Sequence, residues 1–137
     1  MSIKYVACAL LSLSPGAIAA DGREQAATEA ASAWLTLLDQ AKYADAWEGL
    51  AEDRQGIPTL EAFERIYGAY GKRIGKAASR RVTFAADDGR HVVIEFAVLT
   101  KSMPTRETVT VMQETDGRWK VTKHALHQSS SSVVTRR

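Results

Sequence analysis

The residues best suited to chemistry in this sequence are two acids and a phenol. Asp39 and Tyr43 lie between two tryptophans in WLTLLDQAKYADAW, residues 34–47, and Glu107 lies among alternating apolar residues further on. A carboxylate enclosed by apolar side chains acquires a raised pKa and can then transfer protons. Asp39, Tyr43 and Glu107 are therefore candidate catalytic residues of an acid–base pocket.

Each of the two acids also has a structural interpretation. Asp39 falls where the first predicted helix ends, so its side chain can bond to backbone groups of the following turn. Glu107 can form a cross-strand pair with a cation such as Arg81 or Lys123. The sequence leaves the catalytic and the structural interpretations open.

Other chemical motifs are weak. His124 and His127 have an H-x-x-H spacing, but side chains three apart on a strand point to opposite faces, and no further ligands of the usual kinds accompany them. We predict no metal site. No glycine-rich phosphate loop follows a predicted strand, so no cofactor is predicted either.

The first nineteen residues have the features of a signal peptide. A single cation, Lys4, precedes an apolar run from Tyr5 to Leu13, and Ser14-Pro15-Gly16 interrupts the run before Ala17-Ile18-Ala19. Small residues at these positions are typical of a cleavage site. We expect export, to the periplasm or outside the cell, with cleavage after about Ala19.

The remaining composition narrows the possible partners. No segment approaches the ~20 apolar residues that a membrane helix needs, so no membrane span is predicted. Lys and Arg number 18 against 16 Asp and Glu, and such a near balance does not favour nucleic acid. Cys8 is the only cysteine; it lies early in the apolar run, which disfavours lipidation without excluding it.

Helical periodicity dominates the first half of the chain. We expect helices from about Gly22 to Leu38, from Tyr43 to Ala51, and from a Thr59 cap to about Ile74, ended by Gly75. The apolar stripes of the three helices are expected to contain Ala27, Ala30, Ala31, Trp34, Leu37, Leu38, then Tyr43, Ala46, Trp47, Leu50, then Leu60, Phe63, Ile66, Tyr67, Tyr70 and Ile74. Trp34, Trp47 and Tyr43 thus also have a packing interpretation.

An alternating pattern follows the helices and predicts antiparallel strands. The expected strands are Arg80 to Ala86, His91 to Lys101, Thr105 to Thr115 and Arg118 to Ala125, with hairpin turns at Asp88-Gly89 and Asp116-Gly117. The order predicts an α+β fold with three N-terminal helices packed on a curved four-stranded antiparallel sheet.

Alternation divides the strand residues between two faces of the sheet. Val82, Phe84, Val92, Ile94, Phe96, Val98, Val109, Val111, Trp119 and Val121 are expected to face the helices. The other face is partly apolar, with Val93, Ala97, Leu99 and Met112, so a homodimer through this outer face is possible.

Three segments carry a family resemblance. WLTLLDQAKYADAWEGLA, IGKAASRRV and RETVTVMQETDGRWKV, in that order, resemble the bacterial family called domain of unknown function 4019, over about Ala26 to Ala125. The resemblance implies an exported protein with the cystatin-like, nuclear-transport-factor-like cone, in which helices pack into a curved antiparallel sheet. It implies no catalytic residues, and the cone serves enzymes and binding proteins alike.

These observations favour an exported, non-enzymatic domain that binds a small apolar ligand or an envelope protein. The alternative is a small-molecule isomerase, hydratase or lyase that uses Asp39, Tyr43 and Glu107. The expected organisation is a signal peptide over residues 1–19, one α+β domain over 20–126 and a disordered tail over 127–137.

Overall fold

The computed structural model describes residues 15–101 and 104–128, which form three helices and one antiparallel sheet. The elements are α1 (Pro15–Asp39), α2 (Tyr43–Glu48), a 3₁₀ turn (Arg54–Gly56), α3 (Leu60–Ile74), β1 (Ser79–Asp87), β2 (His91–Leu99), β3 (Pro104–Gln113) and β4 (Trp119–Gln128). The strands pair in the order β1-β2-β3-β4, and every pairing is antiparallel. The expected α+β fold class is confirmed.

Both ends of the described chain extend beyond their predicted elements. Helix α1 begins at Pro15 rather than Gly22, so it runs through the predicted cleavage site. Strand β4 continues to Gln128, where the sequence predicted a disordered tail from residue 127. The predictions for residues 1–14, which include Cys8, and for residues 129–137 lie outside the described residues.

Helix α2 is shorter than predicted, because the chain after it pairs with the sheet. It ends at Glu48 instead of Ala51. The Ala51 N–H donates to the Val121 carbonyl at 2.8 Å, and the Val121 N–H donates to the Gly49 carbonyl at 2.9 Å. These bonds use backbone groups that a longer helix would need for itself.

Helix α3 begins and ends where the sequence predicts. The Thr59 hydroxyl accepts a hydrogen bond from the Ala62 N–H at 3.1 Å, which satisfies one of the free donors of the first turn. Gly75 ends the helix with a φ of 82°, a conformation that favours glycine. One member of the predicted apolar stripe was wrong, since Ile66 is 51% exposed.

The core lies between the helices and the inner face of the sheet. It consists mainly of Ala27, Ala31, Trp34, Leu35, Ala46, Trp47, Leu50, Phe63, Tyr67, Val92, Ile94, Phe96, Val98, Val109, Val111 and Val121. The indole N–H of Trp34 donates to the Ala46 carbonyl at 2.8 Å, which ties α1 to α2. The packing interpretation of the two tryptophans is confirmed.

A β-bulge in β1 changes which residues face the helices. The register shifts between Val82 and Phe84, so Val82 pairs with Phe96 while Phe84 pairs with Glu95. Phe84 therefore lies on the outer face and is 53% exposed. Its predicted core position was wrong, because an extra residue on one strand reverses the alternation beyond it.

A second bulge, opposite the Thr110–Val111 step of β3, reorients the end of β4. Val121 pairs with Val111, but His124, three residues later, pairs with Val109 on the same inner face. Simple alternation from Val121 would have placed Lys123 there instead. His127 is exposed on the opposite face, so the two histidines point apart as predicted.

Among the described residues, no helix is both long enough and apolar enough to span a membrane.

Candidate functional site

A cavity of about 440 Å³ opens between the second half of α3 and one end of the sheet. The connection between α1 and α2 closes one side, and inner-face residues of all four strands form the floor. The apolar part of its wall consists of Leu38, Ala41, Ile74, Ala77, Val98 and Leu126. The cavity lies beside the packed core, since Trp34, Phe63 and Phe96 are all buried.

The three candidate residues from the sequence all line this cavity. Asp39 is the last residue of α1, Tyr43 is the first residue of α2, and Glu107 lies in the middle of β3. The ends of two helices and an inner strand position therefore meet at one site. A catalytic role for these residues stays a prediction.

Arg80 of β1 joins the two acids. Its guanidinium donates to both oxygens of Asp39, at 2.5 and 3.0 Å, and its Nε–H donates to Oε1 of Glu107 at 2.9 Å. The expected partners of Glu107, Arg81 and Lys123, were wrong. Arg81 alternates with Val82 and lies on the outer face, and the bulge in β4 turns Lys123 outward. Asp39 likewise bonds to Arg80 rather than to the local backbone.

The network continues from Glu107 into the core through His124. Nε2 of His124 lies 3.0 Å from Oε2 of Glu107, and Nδ1 lies 3.0 Å from the Tyr67 hydroxyl. A carboxylate can only accept, so the imidazole donates from Nε2 to Glu107, while Nδ1 shares a hydrogen bond with the Tyr67 hydroxyl. The ring of His124 also stacks on Tyr67 and meets the edge of Trp34.

The electrostatic environment of Glu107 differs from the one expected for a catalytic acid. Burial alone would raise the pKa of Glu107, but the hydrogen bond from His124 and the guanidinium of Arg80 outweigh it and lower that pKa. The expectation of a raised carboxyl pKa is wrong for this residue. Burial raises the pKa of Tyr67 to about 12, so its hydroxyl stays protonated.

Arg80 and His124 were not among the site residues expected from the sequence. Arg80 was detectable, because it lies two residues before the inward-facing Val82 and shares its face. His124 was hidden by the bulge in β4. The only signal was Leu126, an apolar residue out of phase with Val121, which an extra residue in between would explain.

No group of three or more His, Cys, Asp or Glu that could hold a metal occurs in the described part of the chain. On the outer face of the sheet, Val93, Ala97 and Met112 are half-buried and Leu99 is 53% exposed. A homodimer through this face stays a prediction.

The fold and the site together define an α+β domain with a partly enclosed, mostly apolar cavity at one end of its sheet. Residues 30–124 match the family model described as protein of unknown function (DUF4019). The chain therefore belongs to this family, which confirms the resemblance found in the sequence.

A solved structure from Catenulispora acidiphila is similar to this chain. It shares 17% sequence identity with a TM-score of 0.56, and the match covers 82% of this chain and 94% of that chain. A likeness at this identity supports the fold alone. No curated protein matches the chain.

Proposed function

We propose that this protein is an exported, non-enzymatic domain that binds a small, mostly apolar molecule in the cavity beside α3. One observation carries the proposal, namely the cavity of about 440 Å³ with its largely apolar wall. Small-molecule pockets are typically concave, mostly apolar and between roughly 300 and 1,000 Å³ in volume.

The alternative of acid–base catalysis has weaker support. A general acid or base must be free to exchange a proton with the substrate at the working pH. Asp39 and Glu107 are both engaged by Arg80, and the pKa of Glu107 is lowered rather than raised. A binding role fits these paired carboxylates better, because it requires no proton transfer.

Glycine 71 of α3 allows a direct test of the cavity. A Cβ added to Gly71 would lie 3.9 Å from the hydroxyl of Tyr43, which lines the cavity, so a leucine there directs its side chain toward the hollow. Ala69→Leu is the matched control, since Ala69 is an exposed residue of the same helix that does not line the cavity. Both substitutions place a good helix former in α3 and should preserve folding.

The assay is titration with N-phenyl-1-naphthylamine, a neutral dye that fluoresces in apolar surroundings. The unmodified protein and Ala69→Leu should show saturable binding, and Gly71→Leu should lose roughly tenfold or more in affinity. Circular dichroism and thermal unfolding verify that both variants fold. The proposal would be refuted if the unmodified protein did not bind the dye. It would also be refuted if folded Gly71→Leu bound the dye as tightly as the unmodified protein does.

Export rests on the sequence of residues 1–19. Cleavage after Ala19 would leave residues 20 to 39 of the 25-residue helix α1, including its buried Ala27, Ala31 and Trp34. The mature domain should therefore fold without the removed segment. Intact-mass analysis of protein from the native envelope should find a chain that begins at Ala20; an uncleaved chain in the cytoplasm would contradict export.

A further inference from the structure

Two hydroxyl groups in the cavity lack a hydrogen-bond partner among the described residues. They belong to Tyr70 of α3 and Thr105 of β3, and both residues line the hollow. Thr105 is only 4% exposed. Buried polar atoms nearly always have a partner in folded proteins, so two such exceptions in one cavity indicate that a bound molecule supplies the missing bonds.

The charged groups of the inner wall are already engaged with one another. Arg80 donates to Asp39 and Glu107, and Glu107 also accepts from His124. This cluster contains two carboxylates and one guanidinium, so it has no excess positive charge even if His124 is protonated. Transfer of an additional anion into this environment is unfavourable because its charge would be desolvated without a partner.

The rim has a different character from the inner wall. Lys72 and Lys76 line the mouth of the cavity but are exposed to solvent, where an interaction with a charged ligand is weak and screened. They also disfavour entry of a cation. The hydroxyls of Tyr70 and Thr105, by contrast, can each donate and accept a hydrogen bond without adding charge.

We propose that the cavity is specific for a small uncharged molecule whose apolar body carries a hydroxyl or carbonyl group, which Tyr70 and Thr105 bind. This inference rests on the proposed function and adds the chemical class of the ligand. If this is so, the hydroxyls of Tyr70 and Thr105 contribute to the affinity for the ligand but not to the stability of the empty protein.

The first test compares stability between matched tyrosines of α3. Tyr70→Phe and Thr105→Val remove a hydroxyl without changing the shape of the side chain, and neither breaks a bond that the empty protein makes. The midpoint of thermal unfolding should stay constant or rise. Tyr67→Phe is the control that should lower it, because the Tyr67 hydroxyl is bonded to His124.

The second test measures displacement of N-phenyl-1-naphthylamine by five eight-carbon compounds: octane, 1-octanol, 2-octanone, octanoate and octylammonium. The alcohol and the ketone should bind more tightly than either ion, by roughly tenfold or more. Tyr70→Phe and Thr105→Val should each lower the affinity for 1-octanol by roughly 2- to 10-fold and leave the affinity for octane unchanged. Thr122→Val, whose hydroxyl bonds to the Thr110 carbonyl outside the cavity, should leave the whole series unchanged.

The outcomes separate the two proposals. If the dye and octane bind but the variants bind octanol as the unmodified protein does, the polar inference fails while the apolar cavity stands. Tighter binding of octanoate or octylammonium than of octanol overturns the inference as well. If neither the dye nor any of the five compounds binds, the proposed function fails, and the ligand class fails with it.

Discussion

Arg80→Met should destabilise the protein strongly, because it leaves two carboxylates without their shared cation. The substitution removes the bonds to Asp39 and Glu107 but keeps an unbranched side chain of similar reach. The Glu107 side chain is 4% exposed and cannot recover by hydration, whereas Asp39, at 18%, can do so in part. Breaking a buried pair from one side costs about 3–5 kcal/mol, and the partial exposure of Asp39 places the expected loss near 3 kcal/mol.

The stability lost in Arg80→Met should be larger at neutral pH than at acidic pH. The folded-state pKa of Glu107 is lowered, so its ionised form stabilises the fold at neutral pH, and that stabilisation disappears as the pH falls through the folded pKa. In Arg80→Met, the unpaired carboxylates of Asp39 and Glu107 lower the stability of the folded protein only while they are ionised. The difference between Arg80→Met and the unmodified protein should therefore be largest near pH 7 and shrink below about pH 4–5.

Urea unfolding followed by tryptophan fluorescence measures this difference, since two of the three tryptophans, Trp34 and Trp47, are buried in the core. Arg81→Met is the matched control, because Arg81 is an exposed neighbour on the same strand and should change stability by no more than about 0.5 kcal/mol. Arg80→Met combined with Glu107→Gln should recover part of the loss. A loss below about 1 kcal/mol for Arg80→Met, or one of equal size at pH 7 and pH 4, would refute the reasoning.

Substitutions at Gly49, Thr59 and Tyr67 test the packing, capping and hydrogen-bond arguments by the same urea assay. Gly49→Ala should cost about 1–3 kcal/mol, because its Cβ would lie 2.9 Å from a ring carbon of Trp34; a neutral effect would show that the indole can move aside. Thr59→Ala should cost about 1 kcal/mol through loss of the helix cap, whereas Thr59→Ser should be nearly neutral, and equal losses would count against the capping bond. Tyr67→Phe should cost about 1–3 kcal/mol, because it leaves the buried Nδ1 of His124 without its hydrogen-bond partner; unchanged stability would mean that this bond contributes nothing net.

Much of the fold was predictable, because the signals were local. Thr59 and Gly75 indicate the two ends of helix α3. Gly89 and Gly117, whose φ values are 94° and 86°, indicate the two hairpin turns. The end of α2 was not predictable, since it depends on a bond between Ala51 and a strand seventy residues later. A local pattern contains no information about such a distant partner.

The site was only partly predictable, for a related physical reason. Asp39, Tyr43 and Glu107 were recognised from their types and surroundings, and they do converge on one cavity. Simple alternation already places Arg80 on the same face as Val82, whereas the register of β4 determines whether His124 faces inward. A single bulged residue reverses that assignment, and nothing in the composition of β4 specifies where its bulge falls.

The two edge strands of the sheet, β1 and β4, are protected from intermolecular pairing to different degrees. On β4, backbone groups of Val121 and His124 form hydrogen bonds with the backbone of Gly49 and Ala51 and with the side chain of Gln55. No described segment shields β1 in this way, and its main safeguards are the kink at its bulge and the anchor that Arg80 provides to α1 and β3. Loss of that one guanidinium is therefore expected to loosen the unshielded edge strand and to favour intermolecular β-pairing and aggregation.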